Sequence, residues 1–208
     1  TDYSRSNGVL SPSFEEAALF LEALVGKDAP CTFQTFDDMK VWNEDKKKFI
    51  NRANKSLAHI YHGTFNQHKN ALAALNAKGA GVFVTVNETD LTGREAHNIQ
   101  KVRALFLDLD GSPRQPILDL PEDLQPHIWI ESSPNRWHAY WLVNNCELDQ
   151  FKPLQQALAA LFDGDKQVCD LPRVMRLAGF SHNKQEPFIT RIVELQEHNL
   201  TPFSVNKL

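Results

Sequence analysis

The stretch RALFLDLDGSP, residues 103–113, decides how this chain is read. Leu105, Phe106, Leu107 and Leu109 make it a buried strand, and Asp108 and Asp110 stand one residue apart at its end. Strand side chains alternate between faces, so both carboxylates project from the same side. Like charges that close repel each other, which calls for a cation between them. Paired carboxylates are hard oxygen donors suited to Mg2+ or Mn2+. An enzyme that attacks with one aspartate would begin the same way, so the pair alone leaves two chemistries open.

Two later segments bear on the choice. HIWIESS (127–133) and WHAYWLV (137–143) are separated only by Pro134-Asn135-Arg136 and read as a β-hairpin. His138 falls early in its second strand, and Ser132, Ser133 and Arg136 around the turn are donors suited to phosphate. The plainer reading is a half-buried histidine among Trp137, Tyr140 and Trp141. In GDKQVCDLPRVMRLAGFSHNK (164–184), residues 169–180 read as a short helix with a glycine exit. Asp170, Arg173 and Arg176 then share roughly one face at i, i+3 and i+6, and His182 and Lys184 follow on a loop. A capping aspartate with ordinary charge pairing explains that spacing equally well. Cations beside metal-bound phosphates are what a nucleotide site requires.

Outward from these segments the chain alternates helices and strands. SPSFEEAALFLEALVG (11–26) is an amphipathic helix, with Ser13 as cap, Glu15 and Glu16 at its positive end and Gly26 as its stop. Strands are expected at 31–38, 59–65, 81–89 and 188–195, and helices at 66–79 and 148–162. The basic run KKKFINRANK (46–55) belongs to a charged helix near 43–57, and the tail beyond 195 reads as loosely held. A hairpin beside the aspartate strand argues for an α+β fold over an all-parallel sheet.

Composition sets the outer bounds. At 208 residues, 42% hydrophobic and 23% charged, the chain has the make-up of an ordinary globular protein of one large or two small domains. No apolar run approaches the ~20 residues that span a bilayer, and no signal-peptide pattern opens the chain. Thr1 in place of Met suggests a piece excised from a longer protein. Cys31, Cys146 and Cys169 are widely spaced and odd in number, which suits a reducing cytosol. A net charge of −4 weighs against a surface that grips nucleic acid all round, but leaves room for a local basic groove.

FLDLDGS resembles the opening motif of haloacid dehalogenase-type phosphatases. Such a fold starts near its nucleophile and needs a parallel sheet, whereas here half the chain comes first and a hairpin follows. The three segments together, over roughly 81–188, resemble the archaeo-eukaryotic primase superfamily, with the primase-polymerase and RepB-like domains of phages, plasmids and integrated elements as the nearest look. The resemblance implies an RRM-like catalytic core (81–208) with an antiparallel hairpin, joined to an N-terminal α/β unit (1–80).

It also implies a DNA-dependent primase-polymerase that works on single-stranded DNA and nucleoside triphosphates with Mg2+ or Mn2+ in a two-metal site. The setting would be replication of a mobile element in a bacterial cytoplasm, with a helicase in the same or a partner chain. Position by position, Asp108, Asp110 and Asp170 would be metal ligands, and His138 with Ser133 and Arg136 would meet the nucleotide. Arg173, Arg176, His182 and Lys184 would bind phosphate or template, with Asn87 and Arg94 as weaker candidates. The superfamily has a small residue where Arg136 stands, and Asp165 competes with Asp170 for the third carboxylate. A non-catalytic DNA-binding module for replication initiation is the alternative from another class.

Overall fold

Strands buried on both faces form two main sheets among the described residues, and the aspartate strand lies in the second. The computed structural model describes residues 10–196 and 200–207. Helix α1 (Phe14–Leu24) is capped by Ser13, whose Oγ accepts the Glu16 N–H at 3.2 Å. Its buried face of Ala17, Phe20, Leu21 and Leu24 packs into one apolar cluster that joins both sheets. The first sheet contains β1 (Cys31–Asp37), β2 (His59–Gly63) and, after helix α2 (Phe65–Ala77), β3 (Ala80–Thr85). The second contains β4 (Ala104–Leu109), the hairpin of β5 (Ile128–Ser133) and β6 (Arg136–Asn144), and a late strand β8 (Arg191–Leu195). Helix α3 (Leu148–Phe162) follows the hairpin.

The first sheet is completed from far along the chain. Strand β7 (Val174–Arg176) pairs with β3, giving the order β7-β3-β1-β2. The helix expected over 169–180 is therefore a turn followed by a strand. The β-branched Val174 and the chance to close the open edge of β3 outweigh the helical spacing of the charges. Gly179 (φ +88°) then lets the chain touch α1: its carbonyl accepts the Ser13 N–H at 2.8 Å, and a Cβ would collide with the Ser13 carbonyl oxygen.

The charged helix expected near 43–57 is also replaced, by a two-stranded ribbon of Lys40–Asn43 with Lys48–Asn51. Val41, Trp42, Phe49 and Ile50 are strand formers. Asn43 makes the turn by accepting the Lys46 N–H at 2.7 Å, and Lys47 takes a positive φ. The tail expected to be loose docks in part: Phe203–Ser204 pairs in parallel with the end of β6.

The second sheet runs β8-β5-β6-β4, all antiparallel. Its inner face carries Phe106, Ile128, Ile130 and Tyr140, part of the cluster shared with α1 and the first sheet. Leu107, Leu109, Trp129, Ala139 and Trp141 face outward, under Ile117 and Ala159. Among the described residues, β4 has an antiparallel neighbour on one side and no strand on the other. The parallel surroundings that a haloacid dehalogenase-type site needs are not found around it.

The free edge of β4 is closed by a side chain. Gln155 on α3 is buried, accepts the Phe106 N–H at 2.8 Å and donates to the carbonyls of Phe106 (2.9 Å) and Val168 (3.0 Å). Gln155→Leu leaves these backbone groups buried without partners. The expected loss is about 3 kcal/mol in urea unfolding; a loss below about 1 kcal/mol would show that the edge does not depend on this amide.

Candidate active site

Register places the chemistry. His138 on β6 lies directly opposite Asp108 on β4, so the two side chains share the inner face, with His138 Nε2 3.7 Å from Asp108 Oδ1. One step further along the hairpin, Arg136 forms an ion pair with Asp110. Each aspartate is thus faced by a basic side chain from the neighbouring strand. Asp108 is 29% exposed and Asp110 62%, so both carboxylates reach solvent at the strand end. His138, by contrast, is buried at 4% exposure. Burial pushes its pKa down, Asp108 raises it and Arg176 lowers it further. The imidazole is neutral at pH 7, and among the described residues neither its buried Nδ1 nor the nearby Tyr140 hydroxyl has a hydrogen-bond partner.

The first sheet contributes the opposite wall. Arg176, at the end of β7, makes a buried two-pronged pair with Asp38, at 2.8 and 3.0 Å, just beyond β1. Asp38 also accepts the Asn183 N–H at 3.1 Å. The pair lies across β3 at Gly81, where a Cβ would fall 2.7 Å from the Asp38 carboxylate and 2.8 Å from the guanidinium. Phe83 supports the guanidinium face at 4.7 Å. Burial, then the Arg176 charge, lower the Lys184 pKa, while the Asp38 and Asp108 carboxylates raise it.

No motif singles out Asp38 in the sequence, where its neighbour Asp37 offers the same carboxylate. Alternation at the end of β1 separates the two: Asp37 turns out to hold the ribbon through Arg52, and Asp38 turns in to Arg176.

His182 bridges the sheets, its Nδ1–H donating to the Ser132 carbonyl at 2.9 Å. Burial, then the Arg176 charge, depress its pKa from 6.5 to about 4. His127 is depressed by burial too: its Nδ1 accepts the Leu142 N–H at 2.9 Å while Nε2–H meets the Thr201 carbonyl. Both are neutral in the folded protein and protonate more readily when unfolded. The unfolded state therefore binds more protons below pH 6.5, and stability falls as pH drops from about 6.5 towards 4. For the partly exposed His182 ring we expect a loss on the order of 1–2 kcal/mol over that window, after allowing for screening by solvent. His182→Asn keeps the donor and should flatten part of the urea-midpoint profile; an unchanged profile would exclude this histidine.

The remaining candidates lie elsewhere or have structural work. Asp170 pairs with Arg173 at 2.5 Å, beside Arg94, at the start of the β7 segment. Arg173 also donates to the Gln167 carbonyl. Arg94 bonds Gln34 and the Pro172 carbonyl, and Asn87 bonds the Leu171 carbonyl and the Arg103 N–H, so these two brace the turn before β7. Asp165 donates its N–H to the Asp108 carbonyl at 3.0 Å, continuing the edge that Gln155 closes. Ser133 ends β5 and pairs with Arg136 across the turn. Among the described residues, no three His, Cys, Asp or Glu side chains stand close enough to hold a metal ion together. The donor chemistry of Asp108 and Asp110 still fits a divalent cation: two accessible hard carboxylates on one strand end, one already met by a cationic side chain.

The family described as RepB DNA-primase N-terminal domain matches over residues 62–201. No curated protein matches the chain. Among solved structures, the chain is similar to the archaeo-eukaryotic primase (AEP) domain of the cyanophage S-2L primase-polymerase. The TM-score is 0.67 at 16% identity, over 95% of this chain and 97% of that one. It is also similar to the catalytic domain of primase RepB′ in complex with initiator DNA, with TM-score 0.56 and 19% identity over 88% and 84%. A further structure of primase RepB′ gives TM-score 0.60 and 18% identity, this chain spanning 56% of its length. At such identities the structural likeness carries the fold, which is that of these primases, and the sequence match spans well over half of the chain. The chain belongs to the RepB DNA-primase N-terminal domain family.

Proposed function

We propose that this primase domain joins nucleoside triphosphates on a single-stranded DNA template and extends the primer it makes. The observation that carries the proposal is the register pair of Asp108 and His138 on the inner face, with Arg176 and Lys184 across from them. Asp108 and Asp110 would hold Mg2+ or Mn2+, which when bound favours deprotonation of a primer 3′-hydroxyl and offsets triphosphate charge.

The protein's own groups do the rest. Arg136, beside Asp110 at the hairpin turn, would meet a phosphate of the incoming nucleotide. Arg176 and Lys184 add positive charge on the facing wall. His138, opposite Asp108 on the next strand, would contact the incoming nucleotide's phosphates, as the resemblance implies. For the third carboxylate the resemblance points to Asp170, with Asp165 as its competitor. The likeness to primase RepB′, whose structure is in complex with initiator DNA, supports DNA as the template.

The test is incorporation of labelled nucleotides on unprimed single-stranded DNA, with ribo- and deoxyribonucleotides and with each metal. Product with at least one combination is expected, lost with Asp170→Ala and kept with Asp165→Ala. DNA binding with no product under any combination would replace this proposal with a non-catalytic initiation module.

A further inference from the structure

We propose that the ribbon of Lys40–Asn43 and Lys48–Asn51 is an arm on which bases of single-stranded nucleic acid stack. The inference deepens the proposed function by naming the surface that holds the template, and it rests on that reading for the identity of the strand. The ribbon precedes the segment matched by the primase family, which begins at residue 62.

Three observations carry it. First, cross-strand register sets Trp42 opposite Phe49 and Lys40 opposite Asn51, so Lys40, Trp42 and Phe49 share one face. Trp42 is 48% exposed and Phe49 64%, and their rings meet edge-on with centroids 5.3 Å apart. The pair helps to hold the two strands together, yet among the described residues no residue of the ribbon belongs to the buried core, and much of both rings is left for a ligand.

Second, the arm is positively charged. Residues 40–52 hold five basic side chains (Lys40, Lys46, Lys47, Lys48, Arg52) against Glu44 and Asp45, in a chain whose net charge is −4. Lys47 pairs with Glu44 and Arg52 with Asp37, whereas Lys40, Lys46 and Lys48 have no ion-pair partner among the described residues. Exposed aromatics interleaved with free lysines match the chemistry of a sequence-tolerant single-strand platform, in which each base offers a stacking face and each phosphate a charge. A protein partner of ordinary apolar character would leave those lysines unanswered.

Third, the arm is held in place and leads to the site. Asp37 accepts from Arg52 Nε (2.7 Å) and Nη2 (2.9 Å), and from the backbone N–H groups of Asn54 (2.9 Å) and Met39 (3.0 Å). The base of the ribbon is thereby fixed before any ligand arrives. The ribbon begins two residues after Asp38, whose carboxylate is held by Arg176 and the Asn183 N–H, so its base adjoins one wall of the candidate active site.

The experiment uses the whole chain and a fluorescein-labelled oligothymidylate, with affinity read by anisotropy across a salt series. Trp42→Ala with Phe49→Ala should weaken binding about 30-fold or more, while Trp42→Phe stays within about 3-fold and Trp42→Leu does not, since stacking rather than apolar area is at stake. Lys40→Gln should lower the slope of log affinity against log salt by about 0.7. These positions are exposed, so melting temperatures should stay near the parent's.

Parental affinity in the double aromatic variant overturns the arm, as does a parent that does not bind the oligonucleotide. Parental affinity combined with altered sedimentation would assign the ribbon to contact between protein chains, which also overturns it. Binding that is lost in the aromatic variant, with no incorporation even by the parent, would sink the primase reading and leave the arm standing.

Discussion

Asp108→Ala combined with Asp110→Ala is expected to leave no measurable nucleotide incorporation in a protein that melts at or near the parent temperature. Neither carboxylate is buried, so little packing is lost. Removing two like charges from one strand end relieves repulsion, and the exposed Arg136–Asp110 pair contributes only ~0–1 kcal/mol. Stability and activity should therefore separate. If the pair holds the divalent cation that offsets triphosphate charge, losing several kcal/mol of transition-state stabilisation slows the reaction by about 10³-fold or more. The measurement is primer synthesis beside a thermal melt. Parental rates from the folded double variant would dismiss both aspartates as metal ligands.

The opposite separation is expected at the buried pair on the other wall. Asp38→Ala leaves the Arg176 guanidinium, 8% exposed, without its carboxylate, and should cost about 3–5 kcal/mol in urea unfolding. Arg176→Ala should cost a similar amount. Asp38→Leu with Arg176→Met replaces both charges by apolar volume and should recover half or more of that loss, with the Asn183 N–H still unpaired. It should not restore incorporation, because the positive charge facing His138 and Lys184 is gone. Recovery of both stability and incorporation would reduce the pair to a purely structural role.

How much of the molecule is legible in the sequence depends on the range of the signal. The aspartate strand, the hairpin and the placing of His138 close to Asp108 follow from alternation and a tight turn, all local. The resemblance to primases rests on these same segments, and the α+β fold and the family agree with it. The ribbon reads as a helix because three consecutive lysines favour one, while the strand formers Val41, Trp42, Phe49 and Ile50 sit on either side of them. Asp170, Arg173 and Arg176 form a group only at helical spacing. In the strand that actually forms, Arg176 turns towards Asp38 and leaves the other two behind. Asp38 and Arg176 are 138 residues apart, and no local pattern reports a pairing at that distance.

That separation also has a consequence in time. During synthesis Asp38 emerges long before Arg176, which is added 138 residues later, or about 7–28 s at roughly 5–20 residues per second. Throughout that interval Asp38 lacks the Arg176 guanidinium, and from the time β3 is made its edge stays unpaired until β7 arrives. The first sheet, and with it one wall of the candidate site, can close only after β7 has left the ribosome. A chain truncated before β7 should thus behave as an aggregation-prone fragment rather than a smaller working domain.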